Sequence, residues 1–266
     1  MPADRRRPPG RAIIVGAAGQ LGAALADELA ASGCDLGLCG RDVPALAALT
    51  ERLRGRYAVD IQHEEVDVTR PATLADFFST YGASRPVDWV VVCAGIGGAR
   101  ANGGVMEDGA TADRMVAVNL LGALTALRLA LDLFDGARPG RIVVIASLAA
   151  YIGSPESPVY AATKAGLRAA CLSLRPALAA RDVGVTIANP GYLADRVADG
   201  AASWRPFAMP ADVAARRIVK AAMRGRAEIA FPWQMALLVR LLARLPVRLR
   251  ERLYTRISGD PVARRA

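Results

Sequence analysis

Apolar residues along this chain fall into two alternating rhythms. Short unbroken runs, such as Arg11-Ala-Ile-Ile-Val15 and Trp89-Val-Val-Val92, have the length and β-branching of strands buried on both faces. Between them lie longer stretches whose apolar residues recur every third or fourth position, the period of a helix with one buried face. The pattern predicts strands over 11–15, 34–39, part of 59–68, 87–93, 141–146, 183–188 and 228–231. It predicts helices over 20–32, 43–53, 71–81, 113–134, 158–180 and 211–223. Gly33 stops the first helix and Pro71 opens the third. Strand and helix alternate, and every connection is long enough for a crossover. The expected architecture is therefore α/β: a doubly wound parallel sheet in three layers, with helices on both faces.

Composition narrows this further. Of the 266 residues, 53% are hydrophobic but only 5% aromatic, so one core of Ala, Val, Leu and Ile is expected. The cysteines Cys34, Cys39, Cys93 and Cys171 lack metal-ligand spacing and read as free, buried thiols. His63 is the only histidine and stands beside Glu64 and Glu65. A zinc centre or a Ser–His hydrolase has little to be built from, and no metal is expected. The net charge of +9 is concentrated at one end. Residues 1–204 hold 20 basic and 21 acidic side chains, whereas residues 205–266 hold 14 and 4. The body is near neutral, which argues against nucleic acid as a partner. Residues 1–10 include Arg5, Arg6 and Arg7 but no apolar stretch of a secretory signal, and read as a disordered basic arm. A cytoplasmic location is expected.

The loop Gly16-Ala-Ala-Gly19-Gln20-Leu21-Gly22 joins the first strand to the first helix. Glycines there let a dinucleotide pyrophosphate approach the backbone, and the helix N-terminus offers N–H groups to it. This is the Rossmann-type arrangement, and residues 11–232 are expected to form that domain. After the second strand stands Gly40-Arg41-Asp42. A small residue and a cation at the ribose position suit a 2′-phosphate, so NADP(H) is favoured over NAD. Asp42 fits as the cap of the next helix.

Tyr160 and Lys164, four residues apart, share one face of a helix. A neighbouring ammonium stabilises a phenolate, which suits general acid–base work. Ser147 ends the fifth strand, where a doubly wound sheet binds its ligand, and can hydrogen-bond a substrate oxygen. Asn119 lies inside an apolar helix and needs polar partners.

Together these residues resemble the short-chain dehydrogenase/reductase superfamily in its short single-domain form. The likeness covers residues 11–231. It includes the glycine loop, Asp67-Val68, Ala94-Gly95, Asn119, Ser147, Tyr160 with Lys164, and Asn189-Pro190-Gly191. The resemblance implies that Tyr160 exchanges the proton and Ser147 polarises the substrate oxygen. It implies that Lys164 binds the nicotinamide ribose and Asn119 holds a water of the proton relay. It also implies that Asp67 and Val68 meet the adenine, that Ala94 and Gly95 line the cofactor, and that Pro190, Gly191 and Tyr192 border the nicotinamide. The implied activity is interconversion of a carbonyl and a secondary alcohol by a homodimer or homotetramer acting on a small molecule. Three positions depart from the family pattern: Gln20 stands where a glycine is usual, Val15 replaces a threonine, and Cys93 replaces an asparagine. The glycine spacing also occurs in sugar-nucleotide epimerases and dehydratases of the superfamily, although those enzymes are longer. A regulatory protein that senses NADP(H) without turnover is the other alternative.

Residues 233–266 read as a basic amphipathic helical extension of the same domain. Residues 233–245 and 247–257 pair leucines with Arg240, Arg244, Arg248, Arg250, Arg252 and Arg256 around Pro246. Two readings stand. The apolar face docks within the fold or between subunits, or it lies on a membrane surface near a hydrophobic substrate.

Overall fold

The computed structural model describes residues 8–100, 104–134, 138–194 and 207–258. The basic arm through Arg7 and the last residues, 259–266, lie outside them.

The chain runs β1 (Arg11–Val15), α1 (Gln20–Ala31), β2 (Asp35–Gly40), α2 (Val43–Arg54), β3 (Ile61–Glu65), α3 (Pro71–Ser84) and β4 (Trp89–Val92). Next comes a continuous helix of three parts: α4 (Gly109–Met115), a π-helical turn (Val116–Gly122) and α5 (Ala123–Leu133). Then follow β5 (Gly140–Ile145), α6 (Ala149–Ile152), α7 (Pro158–Ala179), β6 (Val183–Pro190), α8 (Ala211–Met223), β7 (Glu228–Phe231), α9 (Trp233–Arg244) and α10 (Val247–Ser258). The seven strands form one parallel sheet in the order β3-β2-β1-β4-β5-β6-β7.

Strand residues point alternately to two cores. Ile13, Val15, Val90, Val92, Ile142 and Val144 face α3, α5 and α7. Ala12, Ile14, Leu36, Leu38, Val91 and Val143 face α1, α2 and α8. This is the expected three-layer doubly wound sheet. The polar run Gln62-His63-Glu64-Glu65 is a strand because β3 lies at the sheet edge, where charge is tolerated on open faces. Asp42 caps α2 as expected, its carboxylate accepting from the Ala45 N–H at 3.0 Å. Cys34, Cys39 and Cys171 are buried free thiols, whereas Cys93 is half-buried.

Two features differ from the expected pattern. The long helix starts four residues early, at Gly109, because Asp108 caps it through the Thr111 N–H at 2.9 Å. It is also interrupted by the π-helical turn that carries Asn119. The helix over Gly109–Leu133 is long and apolar enough to cross a bilayer, but here it packs on β4, α3 and α7. The short helix α6, directly after Ser147, has no counterpart in the periodicity because four residues carry no period.

Candidate active site

The strand order reverses between β1 and β4, and the crevice beyond their C-terminal ends is where such sheets bind ligands. Gly16 leaves β1 with φ +88°, and a Cβ on it would lie 2.5 Å from the Ala94 nitrogen. A Cβ on Gly22 would lie 2.2 Å from the Gly16 carbonyl oxygen. Glycine at these two positions lets α1 and the β4 loop close on the β1 loop. Gly19 caps α1 with no side-chain hydrogen bond, and the first turn of α1 has no acidic residue. The helix N-terminus is thus open to an anion. Beside it, both polar atoms of the Gln20 carboxamide are buried without a hydrogen-bond partner. An uncapped N-terminus, a glycine cradle and an orphaned amide together fit a dinucleotide pyrophosphate. Leu21 is buried and anchors the same turn.

Gly40 ends β2 against Ala18 of this loop, and Arg41 follows, exposed. Asp67 accepts from the Thr69 N–H at 2.9 Å and from its hydroxyl at 2.8 Å. Burial pushes its carboxyl up, but these bonds, with Arg41 and Arg70 nearby, hold it below the usual carboxylate range. Val68 is buried next to Gly122.

The residues expected to handle the proton come from three elements. Lys164 is buried on α7, and its Nζ donates to the Ile145 carbonyl at 3.0 Å. It sits 5.8 Å from the centroid of the Tyr160 ring. Ser147 follows Ile145 by two residues, and its Oγ accepts from the Ala149 N–H at 3.2 Å. Asn119, fully buried, donates from Nδ2 to the Ile96 carbonyl at 2.8 Å and accepts at Oδ1 from the Ile96 N–H at 2.7 Å. It therefore fastens the β4 loop to the π-helical turn, and Nδ2 also lies 3.4 Å from the Thr163 hydroxyl. A Cβ on Gly95 would lie 3.1 Å from Lys164 Nζ and 3.4 Å from Asn119 Oδ1, so its absence keeps the space beside both groups open. Pro190 is buried, Gly191 is half-buried with its N–H bonded to the Phe231 carbonyl at 2.8 Å, and Tyr192 is exposed.

Two groups of residues here were not expected from the sequence. The first is Glu107, only 3% exposed. Its Oε1 accepts from the Ser157 hydroxyl at 2.8 Å and the Tyr160 N–H at 3.3 Å, and its Oε2 from the Val159 N–H at 3.2 Å. Ser157, at the cap position of α7, makes no capping bond itself. Pro158 has no N–H to satisfy, so Glu107 serves both free donors of the first turn of the helix that carries Tyr160. Burial pushes the Glu107 carboxyl up, but the hydrogen bonds outweigh it and hold the group below its ordinary range. The Glu-Asp pair before α4 was a local sign, but only Asp108 acts locally. The second group centres on a bidentate ion pair between Arg168 and Glu228, at 2.5 and 3.0 Å. Asn189 Nδ2 donates to Glu228 at 2.9 Å, and the Arg168 guanidinium lies 4.4 Å from the Tyr151 ring centroid. This network ties α7 to β6, β7 and α6. Its signs in the sequence were Arg168, one turn beyond Lys164, and Asn189 in the Asn189-Pro190-Gly191 motif.

The switch point thus carries a glycine cradle, and Lys164 lies beside Gly95 of the neighbouring β4 loop. The short-chain dehydrogenase family model matches residues 11–206. An uncharacterized oxidoreductase of Mycobacterium tuberculosis is 36% identical over 249 residues, covering 90% of this chain and 95% of that protein. Among solved structures, the alcohol dehydrogenase from the archaeon Thermococcus sibiricus complexed with 5-hydroxy-NADP superposes with a TM-score of 0.73 at 24% identity, over 83% of this chain and 95% of that one. A metagenomic short-chain oxidoreductase in complex with NADP gives 0.70 at 24% identity, with the same coverage. At that identity the structures establish the fold alone. The chain belongs to the short-chain dehydrogenase family of oxidoreductases.

Proposed function

We propose that the protein is an NADP(H)-dependent oxidoreductase that interconverts a carbonyl and a secondary alcohol. The observation that carries this reading is the Tyr160–Lys164 pair, with Lys164 Nζ held on the Ile145 carbonyl two residues from Ser147. The nicotinamide cofactor, when bound, supplies or accepts the hydride. Gly16, Gly19, Gln20, Leu21 and Gly22 would hold its pyrophosphate. Asp67 and Val68 would border its adenine, Ala94 and Gly95 would line it, with Gly95 beside Lys164, and Pro190, Gly191 and Tyr192 would border its nicotinamide. Exposed Arg41 beside the glycine loop supports a 2′-phosphate, as does the NADP in the related structures.

The chain's own groups divide the proton chemistry. Ser147 Oγ accepts from the Ala149 N–H, which leaves its O–H to donate to the substrate oxygen. Tyr160 then gives its phenolic proton to that oxygen in reduction, or takes it in oxidation. The buried ammonium of Lys164 stabilises the charge that develops on the phenol oxygen. One of its three N–H bonds is spent on Ile145, leaving two for the cofactor ribose and the tyrosine. The amide hydrogens of Asn119 point at Ile96 and Thr163, so the second lone pair of Oδ1 is the place where its side chain can hold a relay water.

Exposed Val105 and Met106, next to Glu107, and exposed Tyr192 and Phe207 beyond β6 support a substrate with an apolar body. Exposed Leu121 and Leu172, on helices packed against each other, support a homodimer or homotetramer. The test is a carbonyl panel followed by NADPH absorbance. Tyr160→Phe, which removes only the hydroxyl, should lower turnover by roughly two orders of magnitude or more and leave NADPH binding intact. Near-normal turnover by Tyr160→Phe would sink the mechanism.

A further inference from the structure

The tail helices are fastened to the body by a narrow strip. On α9 only Ala236 and Val239 are buried, packing with Leu148, Tyr151 and Ile152. Arg240 adds a contact at 5.7 Å over the Tyr151 ring. Met235 packs half-buried against the same cluster, and Leu242 is half-buried, but much of the remaining apolar surface points outward. Trp233 is 66% exposed and Leu241 51%, with Leu237, Leu238, Val247 and Leu249 exposed as well. Trp233, Leu237 and Leu241 recur every fourth residue and so form one stripe. Arg244, three residues beyond Leu241, and Arg248 on α10 are exposed as well. Residues 233–258 hold six arginines against a single glutamate.

We propose that α9 and α10 form a docking surface for an anionic lipid bilayer. Such a surface answers both halves of the pattern. Acyl chains take up the leucines, headgroup phosphates pair with exposed Arg244 and Arg248, and tryptophan suits the boundary between them. The 12 residues of α9 make a rod of about 18 Å, well short of the hydrocarbon core, so the helix lies in the interface and does not span it. A second copy of this chain fits less well, because it would bring together two faces that each carry six arginines against one glutamate. A nucleic acid would satisfy the arginines and leave Trp233 and the leucines without partners. The docking does not rest on the oxidoreductase reading, although α9 packs on α6, the helix directly after Ser147.

The test uses the full chain and co-sedimentation with vesicles of phosphatidylcholine, with and without phosphatidylglycerol. Binding should require phosphatidylglycerol and weaken as salt is added, since exposed charges are screened within about 10 Å at 0.1 M. The pair Leu237→Gln with Leu241→Gln and the pair Arg244→Glu with Arg248→Glu should each weaken binding by about tenfold or more. Both pairs should keep the wild-type melting temperature. Three results overturn the proposal: folded wild-type protein that ignores anionic vesicles, variants that sediment as wild type does, or a leucine pair that splits an oligomer in light scattering. The last would make the face an interface between copies. Sedimentation is scored without turnover, so its failure stays separate from that of the enzymatic reading.

Discussion

Replacing Glu107 with glutamine tests how the helix that carries Tyr160 is held. The native carboxylate accepts from the Ser157 hydroxyl and from the Val159 and Tyr160 N–H groups while almost wholly buried. Glutamine keeps one oxygen but turns an NH2 toward donors, so at least one N–H loses its acceptor and another loses a charged one. Loss of a helix cap costs about 0.5–2 kcal/mol. Removing a negative charge from a partly buried helix N-terminus adds up to about 2 kcal/mol. An orphaned buried donor costs about 1–3 kcal/mol, overlapping with the cap cost. A net loss of about 2–4 kcal/mol is expected, which lowers Tm by roughly 5–15 °C in a domain of this size.

The pH dependence supplies a sharper check. The folded Glu107 carboxyl is held below its ordinary value. Its contribution to stability is therefore complete above the unfolded glutamate value of about 4.3 and is lost as the pH falls through the lower folded value. Urea denaturation of wild type and Glu107→Gln should show a gap that is constant at neutral pH and narrows below about pH 4. Because Tyr160 supplies one of the capped N–H groups, kcat should also fall, by roughly tenfold to a hundredfold. A variant as stable as wild type, or a gap that does not change with pH, would refute the capping argument.

Two further perturbations address the cofactor. Arg41→Ala should weaken NADPH binding while leaving NADH nearly unchanged, measured by fluorescence titration. Equal losses for both nucleotides would remove Arg41 from the 2′-phosphate site. Gly22→Ala places a methyl 2.2 Å from the Gly16 carbonyl oxygen, so α1 must shift away from the loop. Its expected result is loss of NADPH affinity with a melting temperature lowered by several degrees, roughly the overpacking cost of 1–3 kcal/mol. Unchanged affinity would show that the α1 N-terminus does not carry the phosphates.

Much of this architecture is written in local patterns. β1, α8 and β7 occupy the spans their apolar periodicity predicts, because a buried parallel strand and an amphipathic helix each announce themselves within a few residues. The Tyr160–Lys164 pair was legible for the same reason, since a four-residue spacing places both side chains on one helical face. Other features required the chain to meet itself. Glu107 reaches Val159 across 52 positions, Asn119 reaches Ile96 across 23, and Arg168 reaches Glu228 across 60. Each partner is chosen by how strands and helices stack, and no periodicity encodes it. The tail shows the division most plainly. Its leucines and arginines were visible in order along the chain, but an amphipathic helix has the same pattern whether its apolar face is covered or open. Only the packing of Ala236 and Val239 against Leu148 and α6 decided which side of α9 turned inward, and so left Trp233, Leu237 and Leu241 facing out.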